Sequence, residues 1–109
     1  MSWTLKFLPE AVEDIQKLDG SVRSQVIKGI QKVCQNPLPK SRGGYGDPLG
    51  NMSGNNLTGL YKIKFRGIGI RVVYALREID SVMTVVVVSL RADNEVYDLA
   101  GKRRDDNDL

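Results

Sequence analysis

The chain is 109 residues long, 41% hydrophobic and 27% charged, which is enough for one domain with a single core and ordinary for a soluble globular protein. It has no histidine and one cysteine, Cys34, which excludes an intrachain disulfide, histidine-based catalysis and the usual zinc sites. Formal charge is +3, but three of the 13 acids are Asp105, Asp106 and Asp108, so over residues 1–104 sixteen cations face ten acids, a net +6 that suits an anionic partner.

The expected organisation is one domain over residues 1–104 and an acidic tail over 105–109. The N-terminus lacks a signal-peptide pattern, and the longest apolar run, around Val85 to Val88, is too short to span a bilayer. These features predict a cytoplasmic protein with no membrane partner, and the lone Cys34 at a buried helical position fits a reducing compartment.

In chain order, the alternation of Trp3 to Phe7 predicts a first strand. Pro9 suits the first position of a helix, Glu10, Glu13 and Asp14 complement its N-terminal end, and Gly20 is a stop signal. Ser21 is the expected N-cap of a second helix to about Gln35, with Val22, Val26, Ile30 and Val33 at helical spacing. The two form an αα-hairpin whose apolar stripes belong to the core. Residues 36–59 turn to Gly, Pro, Asn and Ser and carry Lys40 and Arg42. No phosphate-loop pattern is present, so this stretch is expected to be an irregular connector from helix to sheet.

Leu60 to Leu76, LYKIKFRGIGIRVVYAL, reads as a β-hairpin with two unlike faces. Tyr61, Ile63 and Phe65 alternate with Lys62, Lys64 and Arg66, and Ile70, Val72, Tyr74 and Leu76 alternate with Arg71 and Val73. A one-residue slip would bury the lysines, so the pairings Phe65 with Ile70 and Ile63 with Val72 are expected, and they set Lys64 opposite Arg71. Facing cations repel unless an anion such as a phosphate lies over them. Taken alone, the four cations are better read as the solvated side of an antiparallel sheet, where Lys and Arg also deter edge pairing. Glu78 to Ser81 then forms a turn, and Met83 to Arg91 predicts a strand apolar on both faces, as a covered central strand should be. Asn94 to Lys102 predicts a short final helix carrying Tyr97.

If the three last strands are neighbours, Lys62, Lys64, Arg71, Arg91 and Tyr97 converge at one end of one face. Such a group suits cleavage of RNA by its own 2′-hydroxyl: one group takes that proton, cations stabilise the charged phosphorane, and a cationic donor protonates the leaving oxygen. A tyrosine also offers a ring on which an unpaired base can stack.

The order strand, αα-hairpin, loop, YKIK (Tyr61 to Lys64), GIRVVY (Gly69 to Tyr74) and R-x-x-x-EVY (Arg91 to Tyr97) resembles the RelE/ParE toxin superfamily, and within it the RelE-type mRNA interferases, over roughly Trp3 to Arg103. The resemblance implies an α+β fold: an N-terminal αα-hairpin on a small, mainly antiparallel twisted sheet, with a short C-terminal helix. It implies a toxin of a type II toxin–antitoxin system, a ribosome-dependent, metal-independent endoribonuclease that cuts messenger RNA in the A site and is held inactive by a cognate antitoxin. The ribosome and mRNA are its other partners, and no cofactor or metal is implied. Carried over by motif, Lys62 and Lys64 bind and activate the scissile region, Arg71 stabilises the phosphate, Arg91 is the general acid, and Tyr97 stacks on or deprotonates the nucleotide. Lys40, Arg42, Arg66, Lys102, Arg103 and Arg104 are the expected further RNA contacts. The chain departs from the pattern at Leu90, Ala92 and Asp93, where relatives often carry more cations, and in its acidic end. The alternatives are a ParE-like toxin that poisons DNA gyrase and an inactive antitoxin-binding module.

Overall fold

The computed structural model describes residues 3–52, 55–90 and 93–109. Strand β1 (Thr4–Phe7) leads into helices α1 (Pro9–Gln16) and α2 (Gly20–Cys34), then strands β2 (Asp47–Met52), β3 (Asn55–Phe65), β4 (Ile70–Arg77) and β5 (Val82–Ser89), and helix α3 (Asp93–Asp106). The strands form one sheet in the order β1-β5-β4-β3-β2, with β1 parallel to β5 and all other pairs antiparallel. The fold is α+β, as expected: an αα-hairpin and a C-terminal helix on a mainly antiparallel sheet.

The corner of the αα-hairpin differs from its expected punctuation. α1 opens on Pro9 but stops at Gln16, and the N-cap of α2 is Asp19, whose carboxylate accepts a hydrogen bond from Ser21 Oγ at 2.8 Å. Gly20 is thus the first residue of α2 and not the stop of α1. Helix termination left carbonyls without intrahelical partners, and a side chain supplies them. Arg23 reaches back from α2 and donates to the carbonyls of Ile15 (3.2 Å), Gln16 (3.1 Å) and Leu18 (3.0 Å).

The stretch 36–59 is not an irregular connector throughout. A 3-10 turn at Lys40–Arg42 precedes β2, and β3 begins at Asn55, well before Leu60. DPLGNM lacks the period-2 pattern of a half-buried strand and contains Pro48, yet it occupies the sheet edge, where a missing N–H is tolerated. Its pairing with β3 shifts register between Pro48 and Gly50, and Gly50 takes a left-handed conformation (φ 58°). Close backbone approach explains two of the loop's other glycines. Tyr45 and Gly46 donate N–H bonds to the carbonyls of Asn36 (2.9 Å) and Leu38 (2.8 Å). A Cβ at Gly44 or Gly46 would run into that same backbone.

The β3–β4 hairpin has the expected register: Phe65 faces Ile70, Ile63 faces Val72 and Lys64 faces Arg71. α2 covers the Phe65 side, where Gly29 lies against the Phe65 ring. On this face Tyr61 stacks on Tyr74 (centroids 5.3 Å apart), and the buried Tyr74 hydroxyl donates to Pro37 O at 2.9 Å. α3 packs on β3, β4 and β5. Val72, Val73 and Val85 to Val88 are buried, so both faces of the central strands are covered, as the run of valines predicted. α3 is also longer than the expected Asn94 to Lys102 segment and continues through Asp105 and Asp106.

β1 pairs with β5 only as far as Phe7 opposite Val85. Beyond that point a part-buried ion pair takes over the edge. Asp14 Oδ2 accepts the Val88 N–H (3.1 Å), and Arg103 Nη1 donates both to Asp14 Oδ2 (2.7 Å) and to Val86 O (2.9 Å). Among the described residues no helix is long and apolar enough to cross a membrane.

Candidate functional site

Alternation and register together assemble the site. Lys62 and Lys64 lie two apart on β3, Lys64 faces Arg71, and Arg71 in turn faces Ser89 on β5. The next row runs Asp47, Lys62, Val73, Val87 across four strands. Val73 and Val87 are fully buried, so the middle of this face is sealed and its cationic end lies where β3 and β5 finish and β4 begins. Lys64 is exposed and Arg71 half-buried. A rigid ladder holds the three cations, which limits the entropy lost when they close on an anion.

Lys62 is less open than its neighbour. Its side chain is 16% exposed, and its ammonium lies 3.9 Å from Asp47 Oδ2, the carboxylate that β2 places opposite it. Sequence reasoning missed Asp47 because nothing in DPLGNM announces a strand, and only the pairing of that strand brings the acid to the lysine. Tyr97 is 2% exposed and belongs to the core. Its ring offers no open face to a base in this conformation, which a stacking platform requires. Arg91 lies outside the described residues, two positions past Ser89.

The cations proposed as further RNA contacts divide into two groups. Lys40, Arg66 and Lys102 are exposed. Arg42 is exposed too but pairs with Glu78 at 2.8 Å. Arg103 is consumed by Asp14 and the β5 edge, with both side chains of the pair 15% exposed. Arg104 bonds Asp105 (3.2 Å) and the Thr58 carbonyl (3.4 Å). Lys40 and Arg66 share one feature that the sequence did not reveal. With Tyr45, Asp47, Lys62 and Lys64 they line a polar cleft of about 270 Å³ at the open edge of β3, beyond the end of β2. Among the described residues no three Cys, Asp or Glu are grouped to hold a metal ion.

Residues 5–97 match the family described as the ParE toxin of type II toxin–antitoxin systems, parDE. A RelE-like toxin protein of Escherichia coli is 33% identical over 107 residues, covering 94% of this chain and 98% of that relative. The mRNA interferase toxin RelE of Escherichia coli K12 is 32% identical over 106 residues, again covering 94% and 98%. Among solved structures, a mutant of E. coli toxin RelE in the free state matches with a TM-score of 0.75 at 31% identity over 94% of this chain and 98% of that one. A chain of the intact E. coli RelBE toxin–antitoxin complex matches with a TM-score of 0.67 at 27% identity over 84% and 99%.

Proposed function

The chain belongs to the RelE/ParE family of type II toxins, and on that footing we propose that it is an endoribonuclease that cuts messenger RNA in the ribosomal A site. The observation that carries this reading is the ladder Lys62, Lys64, Arg71 on adjacent strands, two exposed or half-exposed cations face to face beside a third. A phosphate set over in-register cations accepts charge-assisted hydrogen bonds from both strands at once.

In the proposed reaction the lysine pair binds the scissile region and helps remove the proton of the 2′-hydroxyl. The O2′ attacks phosphorus, Arg71 stabilises the charge that builds on the phosphorane oxygens, and the P–O5′ bond breaks. Arg91 supplies a proton to the departing O5′, leaving a 2′,3′-cyclic phosphate and a 5′-hydroxyl. No step is routed through a metal. Tyr97 is 2% exposed, so the activation is assigned to the lysines. Lys40, Arg66 and Lys102 are open to contact RNA, whereas Arg103 acts through the fold.

The partners in this reading are the ribosome, its messenger and a cognate antitoxin whose acidic or mixed amphipathic segment covers the basic face, and the site of action is the cytoplasm. A second reading, poisoning of DNA gyrase without cutting RNA, draws on the ParE description of the matched family. Primer extension on a defined messenger, with and without translating ribosomes, separates them. Ribosome-dependent A-site cuts by the wild type that vanish in Arg91→Ala and Lys64→Ala establish cleavage. Trapped gyrase–DNA complexes without cuts would establish the second reading, and harmless expression would leave an inert antitoxin-binding module.

A further inference from the structure

The cleft beside Lys62 and Lys64 has a composition of its own, and nothing in the ladder of cations explains it. Tyr45 is 47% exposed, the largest aromatic surface among the exposed apolar residues described. Tyr45 lines the cleft, while Lys32, which does not, holds its ammonium 5.6 Å from the ring centroid. A cation at that range polarises and steadies an exposed ring. Asp47 also lines the cleft, with almost half of its side chain open and one carboxylate oxygen 3.9 Å from Lys62. Lys40 and Arg66 close the rim with positive charge. The backbone that carries Tyr45 is not a loose loop: the Tyr45 N–H bonds Asn36 O, the Gly46 N–H bonds Leu38 O, and Lys40 N–H bonds Gly46 O at 3.0 Å.

We propose that this cleft is a nucleobase pocket for the nucleotide next to the cleaved bond, in which Tyr45 stacks the base and Asp47 selects bases that carry an exocyclic amino group. The inference rests on the RNA-cleaving reading and extends it to two residues outside the ladder. A flat aromatic ring at a polar cleft accepts any base, because every base has a π-face. A carboxylate accepts hydrogen bonds and cannot donate them, so it favours adenine, cytosine or guanine, whose amino group offers two N–H donors, over uracil, which offers a single N3–H flanked by two carbonyl oxygens that repel the carboxylate. Lys40 and Arg66 then meet the phosphates on either side. Tyr45 takes the stacking role that burial withholds from Tyr97, and Lys62 links the pocket to the ladder through Asp47.

The test uses the purified chain and trinucleotides of A, C, G or U carrying 2′-O-methyl groups, which cannot be cleaved, with binding followed by NMR through the backbone amides of residues 43–47 in every variant and, where the ring is present, through the residue 45 ring protons. Upfield shifts of that ring with A, C and G, and binding of the U trimer roughly tenfold weaker, are expected. Tyr45→Ala should weaken every trimer by about tenfold, with Tyr45→Phe, which keeps the ring, restoring it. Asp47→Asn, whose amide both donates and accepts, should abolish the difference between C and U. Equal affinities for C and U in the wild type, wild-type binding by Tyr45→Ala, or no binding at all would overturn the pocket. A chain that shows these shifts yet makes no cuts on ribosomes would leave the pocket standing and remove the cleavage reading. One that cuts but leaves the Tyr45 ring unmoved would do the reverse.

Discussion

Replacing Arg103 by methionine separates a structural arginine from an RNA-binding one. The guanidinium sits between two helices and a strand: Nη1 to Asp14 Oδ2 is 2.7 Å, Nη2 to Asp14 Oδ1 is 3.4 Å, and Nη1 to Val86 O is 2.9 Å. Asp14 in turn accepts the Val88 N–H, so the pair completes the β5 edge that β1 leaves at Val85. Methionine keeps the aliphatic stem but leaves the Asp14 carboxylate with only the Val88 N–H as donor and the Val86 carbonyl without the guanidinium. Exposed ion pairs are worth about 0–1 kcal/mol, whereas breaking a buried pair costs about 3–5 kcal/mol. Both side chains are 15% exposed, close to the buried limit, so a loss of about 2–4 kcal/mol is expected. In a domain of 109 residues this lowers the melting midpoint by roughly 10 °C. Asp14→Asn keeps an acceptor for Val88 and should cost about 1–2 kcal/mol. Urea denaturation of the wild type, both single variants and the double variant gives the coupling, expected at about 1–3 kcal/mol with an unchanged m-value. Coupling under about 0.5 kcal/mol would refute the edge-clamp argument. A fall in RNA affinity at full stability would return Arg103 to the RNA contacts.

Four other outcomes follow from the geometry. Val86→Asp should prevent folding, since it buries a charge with no partner at a fully buried position; native circular dichroism and normal soluble yield would place Val86 at the surface instead. Gly46→Ala should cost about 2 kcal/mol or more, because the new Cβ would meet Pro37 O, Leu38 O and the Tyr74 hydroxyl, while Gly67→Ala, with nothing within 4 Å, stays within about 0.5 kcal/mol of wild type by thermal melting. Lys64→Ala, at an exposed position, should shift stability by no more than about 0.5 kcal/mol while abolishing cleavage, and equal damage to fold and activity would mean the face assignment is wrong. Burial raises the Tyr74 pKa well above the ordinary tyrosine value, and it raises Tyr61 and Cys34 in the same direction. The unfolded chain ionises first as pH rises, so this stability is intact below the unfolded pKa and drains away above about pH 10 for Tyr74, by at most about 1.4 kcal/mol per pH unit. Tyr74→Phe should lose about 1 kcal/mol at neutral pH with the Pro37 hydrogen bond, yet flatten the alkaline limb of a denaturation series from pH 8 to 12.

The hairpin was legible because one face had to be apolar. Once Tyr61, Ile63 and Phe65 are kept from water, the register of Lys64 with Arg71 follows, and the structure has it. Val85 to Val88 announced a strand covered on both sides for the same reason. β2 was illegible because its stability comes from the ladder with β3 and not from its own residues: DPLGNM carries a proline and a glycine and no alternation. The site inherits that blind spot, since Asp47 and Tyr45 reach Lys62 only through the pairing of β2 and the bonds that fold 43–46 back on 36–39. The Arg103 contact was illegible for a different reason. A cation in a basic C-terminal run looks solvated, and its partner Asp14 lies 89 positions away, beyond any local pattern. Tyr97 is buried although its neighbours Glu95 and Asp98 are exposed, because helical geometry turns Val96, Tyr97 and Ala100 inward together.

These placements assign the two halves of the proposed chemistry to parts of the fold with different freedom. Lys62, Lys64 and Arg71 stand on central strands whose neighbours Val73 and Val87 are fully buried, so the groups that bind and stabilise charge are fixed before any ligand arrives. The sequence between β5 and α3 holds Arg91, and Tyr97 follows on α3 itself. The Asp14–Arg103 pair anchors both sides of that segment, β5 through Val86 and Val88 and α3 through Arg103 itself. A change that loosens the pair should therefore act on α3, and with it on Tyr97, while leaving the cationic ladder in place. Rate and RNA binding should separate accordingly, with turnover falling in Asp14→Asn at an unchanged affinity for RNA.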